Sequence, residues 1–232
     1  MISLSSCCPP STNLEGTGTF FSNQARRYLK KFHKRGLAKE QRYLVEGIQS
    51  ASMKGGTILE IGCGIGALHL TLLKQGPGSA VGIDISDGML QAARQLSRNF
   101  GIENRTTYLD GDFARIEKEV APADVVILDK VVCCYEDLDD LLRKSLAKCG
   151  SVFALSFPRP NTFIKIFFNV PIIIGTILRW SFHPWWHDWE KMVQRIQEAG
   201  FKQVYKRDTV MWSVSVFESS QVSSFLKLTR KL

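Results

Sequence analysis

The sequence predicts an α/β domain built on a doubly wound, mostly parallel sheet. Short apolar runs alternate with segments of helical periodicity, as in parallel strands joined by right-handed crossover helices. The first run, 57–61, ends in a glycine-rich turn, the usual link between a buried strand and the helix that follows it. The run 123–132 is largely apolar, as expected for a strand that is buried on both faces.

The bulk composition fits one globular domain. The chain has 232 residues, of which 44% are hydrophobic and 22% charged, so it can bury a sizeable core. The first residues lack the basic and apolar regions of a signal peptide. The six cysteines include the adjacent pairs Cys7 with Cys8 and Cys133 with Cys134, which do not form a spaced disulfide framework. We therefore expect a cytoplasmic protein in a reducing compartment.

The first third of the chain contains an arm, two helices and the first strand. Residues 1–22 are rich in Ser, Thr, Gly and Pro and predict an arm or loop. In 23–50 apolar residues recur at helical spacing, which predicts two helices broken near Gly36. A buried strand at 57–61 and a helix at 68–74 follow.

The rest of the chain continues the alternation and then departs from it. The patterns predict strands at 80–86, 106–113, 123–132 and 151–157, with helices through Met89–Leu96 and 138–147. Residues 201–218 contain two strands with almost nothing between them, so this hairpin must be antiparallel. We expect a single domain over 23–218, including an apolar cap at 161–187, and a tail at 219–232.

Positive charge is concentrated in the predicted N-terminal helices. The net charge is +8, and residues 25–42 carry a dense set of cations: Arg26, Arg27, Lys30, Lys31, Lys34, Arg35, Lys39 and Arg42. They form either a solvated helix face or a surface for an anionic substrate, an acidic membrane or nucleic acid. Nucleic acid is the least favoured, because no binding motif or set of stacking aromatics accompanies them.

The glycine turn is the strongest indication of a ligand. Gly62, Gly64 and Gly66 in "LEIGCGIG" also satisfy the dinucleotide fingerprint when Ala67 is its last small residue, so a nicotinamide dehydrogenase and a methyltransferase are both open. Glu60 favours S-adenosylmethionine, whose ammonium and sulfonium offer this acid a cation. A buried, unpaired carboxylate would otherwise be costly. The alternative for Glu60 is a salt bridge to a lysine or arginine.

Two further acids suit a nucleoside. Asp84 ends the second predicted strand, where a carboxylate can accept both hydroxyls of a ribose of either cofactor. In "GDF", Asp112 can accept from an adenine amino group, while Phe113 offers a backbone N–H and apolar contact. The alternative for Asp112 is an ordinary loop cap.

Taken together, the "LEIGCGIG" turn, the "GIDIS" strand, the "GDF" loop and the closing hairpin resemble the class I S-adenosylmethionine-dependent methyltransferases over about 55–218. The resemblance implies a Rossmann-like, seven-stranded sheet with an antiparallel last strand. It implies S-adenosylmethionine as cofactor, with S-adenosylhomocysteine as product. The cofactor residues that it implies are Glu60, Gly62 and Gly64 at the methionine end, Asp84 and Ile85 at the ribose and one adenine face, and Asp112 and Phe113 at the adenine edge. It also implies that Asp129 contacts the methionine part or steers the acceptor.

The segment 161–187 is the expected acceptor cap. Asn169 and Pro171 interrupt its apolar run, so it is too short to span a membrane. An apolar lid over an apolar substrate is the preferred interpretation, with core packing and in-plane membrane contact as alternatives. Within it His183 and His187 are four apart and Pro184 suits a first helical position. We therefore expect a helix start there, with His183 as a candidate base or else a packing residue.

Cysteines and a tyrosine follow the fourth predicted strand. Adjacent cysteines lack the spacing of a zinc knuckle, so no metal site is predicted, and Cys133 and Cys134 are either apolar filler or thiols in contact with the acceptor. "LDKVVCCYED" and "ALSFPRPNTFIKIFF" resemble the magnesium-protoporphyrin O-methyltransferases. This resemblance implies that Tyr135 and Cys134, which stands where that family has a histidine, lie at the acceptor. It loosely matches Tyr28 to a tyrosine near that family's N-terminus.

These patterns predict methyl transfer from S-adenosylmethionine to O, N or S of a small, largely apolar acceptor. An anionic group on that acceptor would face the basic helices at 25–42. The alternatives are an RNA methyltransferase or a non-catalytic S-adenosylmethionine-binding protein, although the Asn/Asp-Pro-Pro-Tyr run of several base-modifying enzymes is absent after the fourth strand. The candidate catalytic residues are Tyr28, Cys134, Tyr135 and His183.

Overall fold

The computed structural model describes residues 12–51, 56–76, 78–165 and 184–220. Its strands are β1 (Thr57–Ile61), β2 (Ser79–Asp84), β3 (Thr106–Asp110), β4 (Ala123–Asp129), β5 (Cys149–Pro158), β6 (Phe201–Asp208) and β7 (Trp212–Ser219). They form one seven-stranded sheet in the order β3-β2-β1-β4-β5-β7-β6. The predicted fold class is confirmed.

Helices cover both faces of this sheet. They are α1 (Thr12–Ser22), α2 (Ala25–Arg35), α3 (Lys39–Ser50), α4 (Ala67–Gln75), α5 (Asp87–Asn99), α6 (Phe113–Ile116), α7 (Leu138–Ala147) and α8 (Trp189–Glu198). Alternate residues of the central strands face opposite layers. Ile58, Val125 and Ile127 pack with α3 and α4, whereas Leu59 and Val126 pack with α7 and α8. This two-sided burial explains the apolar run that predicted β4.

The strand order determines where a ligand site lies on this sheet. β1 pairs in parallel with β2 on one side and with β4 on the other, so the chain winds away from β1 in both directions. A crevice opens beyond the carboxyl ends of the strands at such a switch point. Glu60, opposite Gly82 and Ile127 in these two ladders, lies one residue before the end of β1.

The C-terminal hairpin closes the sheet as predicted. β7 lies between β5 and β6 and is antiparallel to both. The turn between β6 and β7 is short, and the Thr209 N–H donates to the carbonyl of Trp212 at 2.7 Å. It brings Trp212 back to the carboxyl end of β5, where it pairs with Pro158.

Residues 12–22, expected to be part of an arm or loop, form helix α1 instead. Glycine and threonine lower its intrinsic helix propensity, but here the small residues allow close packing. A Cβ on Gly18 would lie 2.5 Å from the carbonyl oxygen of Ile85, and the hydroxyls of Ser22 and Ser86 are 2.9 Å apart. Tertiary contact with the end of β2 therefore overrides the local preference.

The two basic helices are confirmed. α2 ends at Gly36, whose φ of 65° is left-handed, and its N–H donates to the carbonyl of Phe32. The inner face of α2 carries buried Ala25. The cations of α2 and the start of α3 are exposed: Arg26, Arg27, Lys30, Lys31, Lys34, Arg35, Lys39 and Arg42.

The helix expected to start at Pro184 begins five residues later, at Trp189, with Asp188 as its N-cap. Residues 184–188 are irregular because they bond to the chain after β4 instead of to each other. The Trp185 N–H donates to the carbonyl of Cys133 at 2.7 Å, and Nε2 of His187 lies 2.8 Å from the carbonyl of Tyr135.

Several expectations concern residues outside the described ranges. They are Cys7 and Cys8, His183, positions 166–183 of the expected cap and most of the expected tail. Among the helices that the structure does describe, none is long and apolar enough to cross a membrane.

Candidate active site

A cavity of about 500 Å³ lies beyond the carboxyl ends of β1, β2 and β4. Its volume is in the range typical of small-molecule and cofactor sites. One wall is the glycine turn after β1, and another is the segment that follows β4. Residues of the first two helices and of the turn between them form a third wall, and Pro184 and Trp212 also line the cavity. The residues of this third wall are Thr17, Phe20, Phe21, Gln24 and Tyr28.

The glycine turn has three left-handed residues with different surroundings. Gly62, Gly64 and Gly66 have φ of 65°, 53° and 72°, which only glycine adopts without strain. A Cβ on Gly62 would lie 2.4 Å from a methyl of Val131, and one on Gly66 would lie 2.9 Å from the ring of His69. A Cβ on Gly64 would meet nothing within 4 Å, so the backbone there is open to a ligand in the cavity.

Asp84 holds this turn from the end of β2. The Gly64 N–H donates to its Oδ2 at 2.7 Å, and the Ser86 N–H donates to its Oδ1 at 2.9 Å. Burial raises the pKa of Asp84 to about 6, against these two hydrogen bonds, which lower it. Both oxygens keep a lone pair for a ligand, and Asp84 and Ile85 line the cavity.

Glu60 lies beneath the turn, is only 2% exposed and also lines the cavity. Its Oε2 is 2.6 Å from Nδ1 of His69 and accepts the His69 backbone N–H at 3.2 Å. Burial raises the pKa of Glu60, and the hydrogen bond from His69 opposes that rise. The partner is thus a histidine and not the lysine or arginine of the alternative expectation. A lone histidine in the helix after the turn gave no sequence signal for this pairing.

The end of β4 presents a second anchored carboxylate. Asp129 accepts from Ser156 Oγ at 2.5 Å and from Gln41 Nε2 at 2.8 Å. The next residue, Lys130, has a φ of 61°, which is uncommon for a residue with a side chain. Its Nζ is 2.5 Å from Glu40 and 5.4 Å from the ring centre of Trp212.

Lys130 remains charged at the cavity wall. Burial alone would lower the pKa of Lys130, but the carboxylates of Asp129 and Glu40 outweigh burial and raise it. Sequence reasoning missed Gln41 and Trp212, because they reach the cavity only through the packing of α3 and of the hairpin. It also missed Lys130, although this residue directly follows β4. It also missed Phe20 and Phe21, for which the signal was a pair of aromatics in a polar segment.

The loop after β3 is arranged differently from the expectation. Asp112 caps α6 by accepting the Ala114 N–H at 3.0 Å, and it also accepts from the Tyr135 hydroxyl at 2.6 Å. Its neighbours Gly111 and Phe113 line the cavity, and Asp112 is not among the lining residues that the structure describes. The carboxylate of Asp112 therefore orients Tyr135 and α6 in this structure.

Three of the expected catalytic residues line this cavity: Tyr28, Cys134 and Tyr135. Tyr28 is 43% exposed. The hydrogen bond with Cys133, together with burial, raises the pKa of Cys134 well above its usual value, so this thiol is not a thiolate. Burial and Asp112 likewise raise the pKa of Tyr135. The fourth, His183, lies outside the described residues, among which no metal-binding cluster of His, Cys, Asp or Glu occurs.

The chain matches one family of known proteins and several curated relatives. Residues 52–206 match the family described as "Methyltransferase domain". The ribosomal protein L11 methyltransferase of Alteromonas mediterranea is 36% identical over 80 residues, which are 34% of this chain and 27% of that protein. The Escherichia coli protein of that name is 31% identical over 113 residues, 48% of this chain and 37% of its own. This chain thus spans well under half of these relatives.

Solved structures share the fold over most of the chain. Magnesium protoporphyrin IX methyltransferase from Synechocystis, solved with bound S-adenosylhomocysteine, aligns with a TM-score of 0.67 at 16% identity, covering 88% of this chain and 98% of its own. An O-methyltransferase family 2 protein from Planctomyces limnophilus, in complex with apigenin, aligns with a TM-score of 0.63 at 15% identity, covering 87% and 65%. At these identities the likeness concerns the fold.

The residues present fit S-adenosylmethionine. The backbone at Gly64 is open where a Cβ would enter the cavity, and the acids Glu60 and Asp84 stand on either side of the turn. The family match covers about two-thirds of the sequence. This chain belongs to the methyltransferase domain family.

Proposed function

We propose that the protein methylates an O, N or S atom of a small, largely apolar acceptor that carries an anionic group. The observation that carries this proposal is the continuity of the cavity. The same cavity runs from the glycine turn at Gly64 to an aromatic wall that includes Phe20, Phe21, Tyr28 and Trp212. An aromatic wall in the same cavity as the glycine turn suits a small apolar acceptor.

The cofactor half of the cavity is assigned by its polar groups. Glu60, Gly62 and Gly64 would hold the methionine end. Asp84 and Ile85 would hold the ribose, and Phe113 would cover the adenine. Asp112 would act at the adenine edge only through the loop that it caps, because it is not among the described residues that line the cavity.

The chemistry requires orientation more than acid–base groups. S-adenosylmethionine supplies a methyl group that its sulfonium already activates. The chain has to align the acceptor atom and exclude water, which can supply much of the rate. Cys134 and Tyr135 remain protonated because their pKa values are raised, so they do not serve as bases. The Tyr135 proton is already donated to Asp112. An acceptor atom that is anionic in solution, such as a carboxylate oxygen, needs no base here.

Positive charge at the cavity supports an anionic acceptor. Lys130 is the lysine among the described lining residues, where its Nζ pairs with Glu40, and the exposed cations of α2 are close to Tyr28 in the sequence. Asp129, fixed by Ser156 and Gln41, lies beside Lys130 and would steer the acceptor towards the methyl group.

Labelled methyl transfer tests the proposal. The protein is incubated with S-adenosylmethionine labelled in its methyl group and with a panel of apolar carboxylic acids and phenols, their methyl-capped analogues, ribosomal protein L11 and total RNA. We expect label in the organic extract, with the acids and phenols preferred over their capped forms. Label in the protein or RNA fraction alone would contradict the proposal and favour a macromolecular acceptor.

A matched pair of lysine variants tests the anionic group. Lys130→Gln is expected to raise the KM for the acidic acceptor, whereas Lys202→Gln, at an exposed position on β6, is expected to leave the KM unchanged. Equal effects in the two variants would remove Lys130 from the acceptor site.

A further inference from the structure

We propose that His69 is a positioning residue for the cofactor. It holds one oxygen of Glu60, directs the other to the ammonium group of S-adenosylmethionine, and so favours adenosyl ligands that carry an amino-acid end. The proposal rests on the role proposed above for Glu60, and it concerns a residue outside the cavity lining.

The first argument is the geometry of the carboxylate. Both hydrogen bonds that the Glu60 carboxylate forms with described residues reach the same atom, Oε2, from Nδ1 of His69 at 2.6 Å and from the His69 backbone N–H at 3.2 Å. Glu60 is nonetheless a lining residue of the cavity. Its Oε1 is therefore the oxygen that remains for a ligand there.

The second argument explains why Glu60 lies here. Helix α4 starts directly after the glycine turn with Gly66 as its N-cap, which provides no side-chain cap, and its first turn has no acidic residue. Helix N-termini have unpaired N–H groups and a partial positive charge. Glu60 reaches across from β1 to cap the N–H of His69 and supplies the negative charge. Oε2 of Glu60 thus caps helix α4, and the same carboxylate borders the cavity.

The third argument is that His69 is itself fixed. Its side chain is fully buried, and its Nε2 lies 3.2 Å from the hydroxyl of Tyr108. Burial raises the pKa of Tyr108, so this hydroxyl keeps its proton and can donate to Nε2. Nδ1 then carries the proton that is donated to Glu60, because the bond at one ring nitrogen sets the tautomer at the other. The hydrogen bonds between Tyr108 and His69 and between His69 and Glu60 thus fix the orientation of the Glu60 carboxylate.

Loss of this positioning is expected to weaken only the ligands that carry an ammonium group. Loss of the Nδ1 donor frees a buried carboxylate to turn and to take up a proton, which weakens its attraction for an ammonium group. A bond to a charged partner contributes about 1.5–3 kcal/mol, which corresponds to about 10-fold or more in affinity. The ribose and adenine contacts do not involve Glu60, so ligands without an amino-acid end are expected to bind as before.

Two ligands and two polar variants test this inference. S-adenosylhomocysteine has the ammonium group, and 5′-methylthioadenosine lacks the amino-acid end. In His69→Asn the amide N–H occupies about the position of Nδ1, whereas in His69→Gln it extends towards Tyr108. By calorimetry, His69→Gln is expected to bind S-adenosylhomocysteine about 10-fold or more weakly and methylthioadenosine as the wild type does. His69→Asn is expected to retain most of the affinity for both.

Each other outcome overturns the inference. Equal weakening of both ligands in His69→Gln would mean that His69 only supports the fold, and unchanged affinity for both would mean that it does not act on Glu60. Glu60→Gln separates this failure from that of the proposed function. If Glu60→Gln leaves S-adenosylhomocysteine binding intact, the role of Glu60 itself is wrong. If Glu60→Gln weakens the binding of S-adenosylhomocysteine and the His69 variants do not, Glu60 holds the ammonium group and His69 does not position it.

Discussion

Cofactor affinity should depend on pH through Asp84. Burial raises the pKa of this carboxyl group from 3.8 to about 6, a shift of about 2 units, or about 3 kcal/mol between its two protonation states. Because the folded-state pKa is above the unfolded one, this group favours the folded protein below pH about 4. The advantage is lost as the pH rises through about 6.

The proposed role of Asp84 at the ribose requires the opposite protonation state. A ribose diol donates two hydrogen bonds, so it is bound best by the ionised carboxylate. With a pKa of about 6, roughly nine-tenths of Asp84 is ionised at pH 7 and roughly one-tenth at pH 5, so the Kd should rise about 10-fold between these pH values. Cofactor binding therefore favours the ionised form of Asp84, whereas burial favours its protonated form.

Calorimetric titration with S-adenosylhomocysteine from pH 5 to pH 8 measures this dependence. The wild type should show a Kd that rises below pH about 6 with a slope of one proton. Asp84→Asn should bind more weakly and show no such slope, because the amide does not titrate. A flat wild-type profile, or the same slope in Asp84→Asn, would refute the reasoning, and in the second case the titrating group would be another one.

Three further tests, with four substitutions, concern the turn, the first helix and the acceptor side. Gly64 and Gly101 have φ of 53° and 65°, and a Cβ on either would meet nothing within 4 Å. Gly64→Arg and Gly101→Arg should each lose about 1–2 kcal/mol of stability in thermal melts, and only Gly64→Arg should lose S-adenosylhomocysteine binding. Gly18→Leu should displace α1, because even its Cβ would lie 2.5 Å from the carbonyl oxygen of Ile85. Limited proteolysis should then cut within 12–22 faster than in the wild type, and unchanged cutting would argue against this packing. Tyr28→Phe should lower kcat more than the affinity for S-adenosylhomocysteine, and equal effects on both would exclude Tyr28 from the acceptor site.

The cofactor side of the cavity could largely be anticipated from local patterns. The glycine turn, Asp84 and Asp129 all directly follow or end apolar strands, and the carboxyl ends of neighbouring parallel strands meet at one edge of a sheet. Side chains that strands position in this way need no knowledge of distant packing. Asp112 shows the limit of that argument, because its position was anticipated but its partners, Ala114 and Tyr135, depend on how the loop closes.

The acceptor side was less accessible to prediction. α1 was expected to be a loop, since its glycines and threonines have low helix propensity, yet its contact with Ile85 and Ser86 makes it a wall of the cavity. The irregular segment 184–188 was expected to be helical, and hydrogen bonds to Cys133 and Tyr135 hold it otherwise. Both errors arise from contacts between residues far apart in the chain.

The sequence by itself determined the order of the strands, the antiparallel closing hairpin, the glycine turn and the resemblance to the methyltransferase family. These follow from periodicity and from residues close together in the chain, whose geometry the backbone dictates. Only the tertiary structure decided that His69 pairs with Glu60, that Lys130 stands between Glu40 and Trp212, and that the first helix encloses the cavity. Such pairings depend on the free energy of packing distant segments, which no local pattern encodes.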